Sequence, residues 1–257
     1  MSRLSSLPSS LRNALAHGQA LKVIAGLTNF DATSVQRIAR AAVAGGADLL
    51  DLACDPELVR SVRALAPDLP LCVSAVEAEL FPASIEAGAT MAEIGNFDAF
   101  YAEGRVFSAA EVLELTCRTR ALLPEVVLSV TVPHVLALDE QEQLALELAE
   151  AGADLIQTEG GTSARPLSPG VLGLIEKAAP TLAATHAISR ALQASDRPLP
   201  VLCASGLSTA TVPMALAAGA AGVGVGSAVN RLEDELAMVA VVRSLRDAIG
   251  AGRSVRV

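Results

Sequence analysis

The fold of this chain is decided by the stretch Ala44-Gly-Gly-Ala-Asp-Leu-Leu-Asp-Leu-Ala53, a pattern that the sequence repeats three more times. The other copies are Ala87-Gly-Ala-Thr-Met-Ala-Glu-Ile-Gly95, Ala151-Gly-Ala-Asp-Leu-Ile-Gln-Thr-Glu159 and Ala218-Gly-Ala-Ala-Gly-Val-Gly-Val-Gly226. In each copy a helix ends at Ala-Gly and a short apolar strand follows, because glycine adopts the left-handed conformation after a helix without strain. The repeat predicts alternating helices and strands.

Eight short, mostly apolar runs are strand candidates along the chain. They cover residues 21–26, 49–53, 71–76, 91–96, 126–133, 155–160, 201–206 and 222–227. Helical patterns lie between them, including 34–44, 57–65, 109–122, 139–151, 210–218 and 230–250. Regular alternation predicts a parallel sheet covered by helices, and eight units close into a barrel. We therefore expect a single-domain (β/α)8 TIM barrel over residues 1–257, with a helical lead-in over residues 1–19.

The composition restricts the partners and the compartment. A formal net charge of −9 argues against nucleic acid or a membrane surface as the main partner, although backbone amides of an acidic protein still bind phosphate. Cysteines without CxxC spacing indicate buried free thiols in a reducing compartment and no metal site: Cys54, Cys72, Cys117 and Cys203. The first 19 residues lack the continuous apolar core of a signal peptide, so we expect a cytoplasmic protein.

Aligning the four copies predicts which side chains enter the barrel. Asp51, Glu93, Gln157 and Gly224 take the same position, on the second, fourth, sixth and eighth strands. In the last copy the two valines are the residues that helices would cover, so the intervening glycines face inward. The same alternation points the two carboxylates and the amide into the barrel, where alternate strands share a layer.

Inward-facing carboxylates need partners, since an unpaired buried charge is strongly unfavourable. Lys22, one of two lysines in the chain, lies on the first strand near the barrel bottom. We interpret it as a structural counterion of Asp51 or Glu93 rather than a Schiff-base residue, because barrel chemistry takes place at the other end. Both a buried network and catalysis remain open for the two carboxylates. Further inward candidates are Ser74, Ser129, Thr131, Cys203 and Ser205.

The strongest acid–base candidates follow the sixth and fifth strands. Glu159 lies one layer nearer the mouth than Gln157 and precedes Gly160 and Gly161, where a substrate can approach the backbone. His134 follows the fifth strand, and its titration range suits proton transfer. We expect these two residues to exchange protons with a substrate. Expected substrate contacts are Asn29, Asn96, Gln157, Gly160 and Gly161.

Small residues follow the last two strands, where barrels of this class bind phosphate. We expect Ser205 and Gly206, after the seventh strand, to form a phosphate or cofactor site with Gly226 and Ser227, after the eighth. The alternative is close packing of helices and strands without a ligand. The aromatic segment 97–107, after the fourth strand, favours a local hydrophobic cluster over a mobile lid.

Five phrases resemble the hypothetical chloroplast open reading frame twenty-three family of cyanobacteria and algal plastids. They are Lys22-Val-Ile-Ala-Gly-Leu-Thr-Asn-Phe30, Glu93-Ile-Gly-Asn-Phe97, Gln157-Thr-Glu-Gly-Gly-Thr162, Ala183-Ala-Thr-His186 and Cys203-Ala-Ser-Gly206. The resemblance covers nearly the whole chain. For algal relatives it implies a location in the plastid stroma.

Residues 222–229 are more remotely similar to the last strand of ribulose-phosphate-binding barrels and of flavin-binding barrels. This resemblance implies phosphate binding at Gly206, Gly226 and Ser227. It carries no catalytic residues, since the chain has no Asp-x-Lys pair on the second strand and no Asp ending the fifth.

We expect an enzyme of isomerase, epimerase or lyase type that acts on a small phosphorylated metabolite and requires no cofactor. The alternatives are an FMN-dependent oxidoreductase and a non-catalytic phosphometabolite-binding or regulatory module, with a homo-oligomer as a further expectation.

Overall fold

The computed structural model describes residues 3–251, and its eight strands form a closed parallel barrel. Each strand pairs with its neighbours in chain order, and the first pairs with the last. The strands are β1 (Ala20–Ile24), β2 (Leu49–Ala53), β3 (Leu71–Ala75), β4 (Met91–Ile94), β5 (Val127–Thr131), β6 (Leu155–Gln157), β7 (Val201–Ala204) and β8 (Gly222–Val225). The predicted TIM barrel is confirmed.

Most predicted strands run past the carboxyl end of the observed strand. The extra residues belong to the mouth, where the backbone leaves the extended conformation. Glycines with φ between 75° and 126° follow four of the strands, namely Gly26, Gly95, Gly160 and Gly206. Their apolar or small character continues the strand pattern in the sequence, whereas their left-handed backbone ends the strand in the structure.

Helices precede and connect the strands, and most of them cover the outside of the barrel. They are α1 (Ser9–Ala16), α2 (Ala32–Gly45), α3 (Pro56–Leu65), α4 (Phe81–Glu86), α5 (Asp98–Tyr101), α6 (Ala109–Leu122), α7 (Leu138–Ala151), α8 (Gly170–Gln193), α9 (Val212–Ala217), α10 (Ser227–Asn230) and α11 (Glu235–Ala251). The helix predicted over 230–250 begins later, at Glu235, because Asp234 starts α11 by accepting a hydrogen bond from the Ala237 amide at 2.7 Å. Within residues 3–251 no helix combines the length and apolarity that crossing a membrane demands.

The repeated Ala-Gly phrase has the expected local structure in all four copies. The glycine that ends each helix has a positive φ: 83° at Gly46, 114° at Gly88, 100° at Gly152 and 107° at Gly219. At Gly46 and Gly152 the amide also bonds to carbonyls of the last helical turn. The repeat therefore marks the turn from each helix into β2, β4, β6 and β8.

The N-terminal lead-in closes the bottom of the barrel. A 3-10 helix over Arg3–Ser6 and the helix α1 bring Leu7, Leu11 and Leu15 under the strands; residues 1 and 2 of the predicted lead-in lie outside the described range. These leucines pack against the lowest inward layer, which consists of Ala20, Leu49, Cys72, Met91, Val127, Leu155 and Leu202. This apolar floor seals the interior from below, so polar chemistry is confined to the layers above it.

Two predictions about cysteines are wrong. Cys203 faces outward, since its sulfur lies 3.7 Å from the Thr181 hydroxyl on α8, while Leu202 belongs to the apolar floor. The inward parity of β7 therefore falls on its even-numbered residues. Ser205 still reaches the mouth, because its φ of 74° turns the chain there. Cys117 is exposed on α6, whereas the other three cysteines are buried; all four are free thiols.

Candidate active site at the barrel mouth

A buried ion network fills the middle layer of the barrel. The Lys22 ammonium donates to Glu93 Oε2 at 2.6 Å and to Gln157 Oε1 at 3.0 Å, and its nitrogen lies 3.4 Å from Asp51 Oδ2. The four side chains come from β1, β2, β4 and β6 and are at most 1% exposed. The inward register of Asp51, Glu93 and Gln157 and the counterion interpretation of Lys22 are thus confirmed.

Neighbouring hydroxyls complete this network. Ser129 Oγ donates to Glu93 Oε2 at 2.7 Å, and the Gln157 amide donates to Oε1 of the same carboxylate at 2.7 Å. Ser74 Oγ donates to Asp51 Oδ1 at 2.5 Å, whereas Asp51 Oδ2 has no hydrogen-bond partner among the described residues. Both ends of the Gln157 amide are hydrogen-bonded within this layer, and its expected contact with a substrate remains a prediction.

The network fixes the charge of its members. Burial raises the pKa of Asp51 to about 6, a shift that the Lys22 charge opposes and the Glu93 charge reinforces. For Lys22, burial lowers the pKa, but the charges of Asp51 and Glu93 outweigh it and raise the pKa above its ordinary value. A lysine held protonated in this way is a poor nucleophile, so the geometry favours a structural role.

A pocket of about 240 Å³ opens above this layer at the carboxyl ends of the strands. Its lining includes five residues that the sequence predicts for ligand contact: Asn96, Ser205, Gly206, Gly226 and Ser227. Asp98 and Asn230, which the sequence did not single out, line it as well. The loops after β1, β4, β6, β7 and β8 therefore converge on one polar pocket, at the end where barrel enzymes bind substrates.

Backbone strain is concentrated in this pocket. Asn96 and Ser205 are the two non-glycine residues of the range 3–251 with positive φ, at 41° and 74°. Both line the pocket. Such conformations are unfavourable for residues with a Cβ and persist where the surrounding structure holds them, frequently at functional sites.

Four side chains beside the pocket form what we call the mouth cluster: Asp98, Tyr101, His134 and Glu159. The Tyr101 hydroxyl donates to Glu159 Oε1 at 2.6 Å, and the His134 amide donates to the same oxygen at 3.2 Å. The amide of Asp98 donates to Glu159 Oε2 at 3.1 Å. His134 Nδ1 lies 3.3 Å from Glu159 Oε1 and 3.4 Å from Asp98 Oδ1. The imidazole thus stands between two carboxylates.

The mouth cluster holds protons tightly. Burial raises the pKa of Glu159, although hydrogen bonds with His134 and Tyr101 oppose the shift. Burial alone would lower the pKa of His134, but the hydrogen bond with Glu159 and the charge of Asp98 raise it. Burial and the Glu159 charge also raise the pKa of Tyr101. The imidazole, the Glu159 carboxyl and the Tyr101 hydroxyl therefore each release a proton less readily than the same group in water.

The accessibility of the predicted acid–base pair differs from expectation. Glu159 lies near the mouth as predicted, yet it is 0% exposed and does not line the pocket, because Tyr101 and His134 cover it. The His134 side chain is 15% exposed and also stands outside the lining. Of the mouth cluster, Asp98 lines the pocket. The catalytic roles of Glu159 and His134 remain predictions.

Three predicted substrate contacts also make contacts within the protein, and their roles toward a substrate remain predictions. The Gly160 amide donates to Asp98 Oδ2 at 3.1 Å. Gly161 packs directly on Gly206, since a Cβ added to Gly161 would lie 2.3 Å from the Gly206 Cα. Asn29 shapes its own loop, donating to the Ala25 carbonyl and accepting from a nearby amide. The contact between Gly161 and Gly206 packs the segment after β6 directly against the segment after β7.

Asp98 is the functional candidate that sequence reasoning missed. It follows β4 inside the aromatic segment. There the rings of Phe97 and Phe107 pack together with their centroids 4.5 Å apart, as expected for a local hydrophobic cluster. The available signal was an acidic residue directly past the carboxyl end of a barrel strand. Tyr101, in the same aromatic segment, donates a hydrogen bond to Glu159. The alternation of polar and apolar residues did not indicate this contact.

The ligand atoms of Asp98, His134 and Glu159 lie within 4.8 Å of one another, close enough to share a metal ion. All four oxygens of the two carboxylates, however, already accept hydrogen bonds from protein donors, among them the Ser163 hydroxyl on Asp98 Oδ1. The arrangement is accounted for by these donors, and we assign no metal to it.

Comparison with known sequences places the chain in a family. The family described as "Protein of unknown function (DUF561)" matches residues 7–255. The chain belongs to this family. It is 41% identical over 233 residues to the "Uncharacterized protein ycf23" of Cyanophora paradoxa, covering 91% of this chain and 93% of that one. The ycf23 protein of Pyropia yezoensis is 36% identical over 250 residues, covering 97% and 89%. The resemblance noted in the sequence is confirmed.

Solved structures with the same architecture include several proteins whose names contain a phosphorylated compound. Thiamine phosphate pyrophosphorylase from Pyrococcus furiosus has a TM-score of 0.59 at 18% identity, covering 93% of this chain and 98% of that one. 3-Hexulose-6-phosphate synthase from Salmonella typhimurium has a TM-score of 0.62 at 17% identity, covering 91% and 99%. (S)-3-O-geranylgeranylglyceryl phosphate synthase from Thermoplasma acidophilum has a TM-score of 0.61 at 13% identity, covering 95% and 99%. At these identities the likeness concerns the fold.

Proposed function

We propose that this protein is an enzyme that binds a small phosphorylated metabolite and moves a proton on it, in a reaction of isomerase, epimerase or lyase type. One observation carries the proposal: glycine- and serine-rich turns line a pocket at the barrel mouth together with Asp98, which belongs to the mouth cluster of titratable groups. We also propose a cytoplasmic location for this protein and a location in the plastid stroma for its algal relatives.

The phosphate pole of the proposed ligand lies at the turns after β7 and β8. Gly206, Gly226 and Ser227 line this side, where backbone amides are the expected donors. A Cβ at Gly226 would lie 3.3 Å from the Ile24 carbonyl oxygen, so glycine there lets the turn after β8 pack closely on the end of β1. Support comes from the neighbours of the same fold, whose names include phosphate compounds.

The proton-transfer pole lies beside the pocket, at the mouth cluster, whose Asp98 accepts a hydrogen bond from Ser205 in the turn after β7. His134 Nδ1 lies 3.3 Å from Glu159 Oε1 and 3.4 Å from Asp98 Oδ1, so a proton can pass between the imidazole and either carboxylate. General acid–base groups of this kind accelerate reactions by about 10²–10⁴-fold. The Tyr101 hydroxyl covers Glu159 and donates a hydrogen bond to its Oε1.

The volume of the pocket favours this proposal over the FMN alternative. The volume of about 240 Å³ is at the small end for ligand sites, which are roughly 300–1,000 Å³, and a sugar-phosphate-sized compound suits it better than a flavin. Flavin remains simple to test, since purified protein that binds FMN is yellow. Protein that stays colourless and takes up no added FMN would eliminate the oxidoreductase.

The proposed function is tested by a binding screen followed by an exchange assay. Thermal shift against a panel of phosphorylated sugars and acids identifies binders, since a ligand of the folded state raises its apparent stability. Binders are then incubated in D₂O, and proton NMR follows deuterium entering at carbon. We expect exchange with the native protein and none with Glu159→Gln, which should remain folded. Unchanged exchange in Glu159→Gln would remove this residue from the mechanism. Binding without any exchange would instead support the regulatory module.

A further inference from the structure

The mouth cluster needs a group that touches the ligand, and neither Glu159 nor His134 lines the pocket. We propose that Asp98 is the catalytic carboxylate, and that the ligand is a phosphorylated compound with a carbonyl group next to the carbon that loses its proton. This inference rests on the proposed function, because it names the residue and the substrate class of that same site.

Accessibility separates the two carboxylates. Asp98 is 7% exposed and lines the pocket, whereas Glu159 is 0% exposed beneath Tyr101. A ligand that enters from the mouth therefore meets Asp98 first. Proton transfer requires contact within hydrogen-bond distance, so the carboxylate in the lining is the one placed to act directly.

Asp98 is also held in a fixed orientation by two other segments of the mouth. Its Oδ2 accepts from Ser205 Oγ at 2.9 Å and from the Gly160 amide at 3.1 Å, and its Oδ1 accepts from Ser163 Oγ at 3.0 Å. Ser205 adopts its strained φ of 74° while making this contact. Donors from the segments after β6 and β7 converge on one side chain of α5, which is the arrangement expected of an oriented catalytic group.

The cluster behind Asp98 accounts for the path of the proton. His134 Nδ1 is 3.4 Å from Asp98 Oδ1 and 3.3 Å from Glu159 Oε1, so the imidazole connects the two carboxylates. Asp98 takes a proton from the ligand carbon, and the C–H electron pair forms the carbon–carbon double bond of an enolate as the carbonyl π pair moves to oxygen. The proton then returns to the same carbon, on the same face or the opposite one, as the oxygen pair re-forms the carbonyl, so the reaction needs no oxidant or reductant. Asn96 lines the same pocket and can donate to the enolate oxygen.

The first experiment compares Asp98→Asn with Asp98→Glu and with Asp139→Asn, the same substitution at an exposed position of α7. The readout is deuterium exchange into the compound that the native protein processes, together with the dissociation constant of that compound. We expect Asp98→Asn to slow exchange at least 100-fold with affinity retained, Asp98→Glu to restore part of the rate, and Asp139→Asn to match the native protein. Exchange by Asp98→Asn within threefold of the native rate would overturn the proposal.

The second experiment uses the native protein alone, so it does not depend on a variant that folds or on finding a substrate. The protein carries ¹³C at its aspartate side-chain carboxyl groups, the signals are assigned through their backbones, and glycerol 3-phosphate is titrated as a phosphorylated polyol probe. We expect the Asp98 signal to move with binding while the Asp139 signal stays in place. Saturable binding with no movement at Asp98 would exclude it from the ligand site. Absence of exchange with every compound would count against the proposed function, and the probe titration would still decide whether Asp98 contacts a ligand.

Discussion

Lys22 Nζ lies 2.6 Å from Glu93 Oε2 at the centre of the barrel, and both side chains are at most 1% exposed. Most barrels fill this layer with branched apolar residues. Here the ammonium joins strands β1, β2, β4 and β6, since Asp51 and Gln157 also face it. The pair lies between the apolar floor and the mouth, so it sets the electrostatics beneath the pocket.

Removing the cation should destabilise the fold strongly. Lys22→Met leaves Glu93 and Asp51 as buried charges without a counterion, and breaking such a pair costs about 3–5 kcal/mol. Urea denaturation at pH 7 measures the loss in the free energy of unfolding. The control is Lys177→Met, the same change at the other lysine, which is half-buried and should cost far less. Equal effects of the two substitutions would contradict the central role of the network.

The second carboxylate of this layer should make stability depend on pH. Burial raises the pKa of Asp51 to about 6 in the folded protein, so ionising it disfavours folding. Its contribution is most favourable below its unfolded pKa and declines as pH rises through about 6, by on the order of 3 kcal/mol. Asp51→Asn should remove this decline, giving a flatter profile of unfolding free energy between pH 4 and pH 7. A profile identical to that of the native protein would refute the prediction; Asp139→Asn serves as the control.

Glu159 should set the titration of His134. The hydrogen bond with Glu159 and the charge of Asp98 raise the His134 pKa despite burial, so protonated His134 stabilises the fold below its unfolded pKa, and this contribution is lost as pH rises through the raised value. Glu159→Gln should lower the His134 pKa towards its ordinary value. Imidazole signals in heteronuclear NMR measure the change, with exposed His17 as the internal reference. An unmoved His134 titration would show that the pair is not coupled.

The contact between two glycines should be intolerant of a methyl group. A Cβ at Gly161 would lie 2.3 Å from the Gly206 Cα and 2.4 Å from its nitrogen, and backbone atoms cannot move aside cheaply. Gly161→Ala should lower stability by about 1–3 kcal/mol and weaken binding of glycerol 3-phosphate. Gly250→Ala, in α11 with open space around it, is the matched control and should be neutral or slightly stabilising. If both variants lost binding, the loss in Gly161→Ala could not be attributed to the contact between Gly161 and Gly206.

Local patterns in the sequence were sufficient for the barrel and its interior register. The Ala-Gly phrase specifies a helix end and a following strand, and period-two alternation then fixes which side chains enter the barrel, as Asp51, Glu93 and Gln157 do. Register on β7 could not be read in this way. Small residues occur at both parities there, so Cys203 was assigned to the wrong face.

The sequence by itself determined the fold, the family, the polar layer and the two turns offered for phosphate, because each depends on spacing within one segment or on residues aligned by the repeat. Only the tertiary structure decided which groups share the pocket. The mouth cluster joins residues from three segments, with Tyr101 and Glu159 separated by 58 positions and connected by one 2.6 Å hydrogen bond. Accessibility depends on how these segments cover one another, and that packing buried Glu159 while leaving Asp98 in the lining.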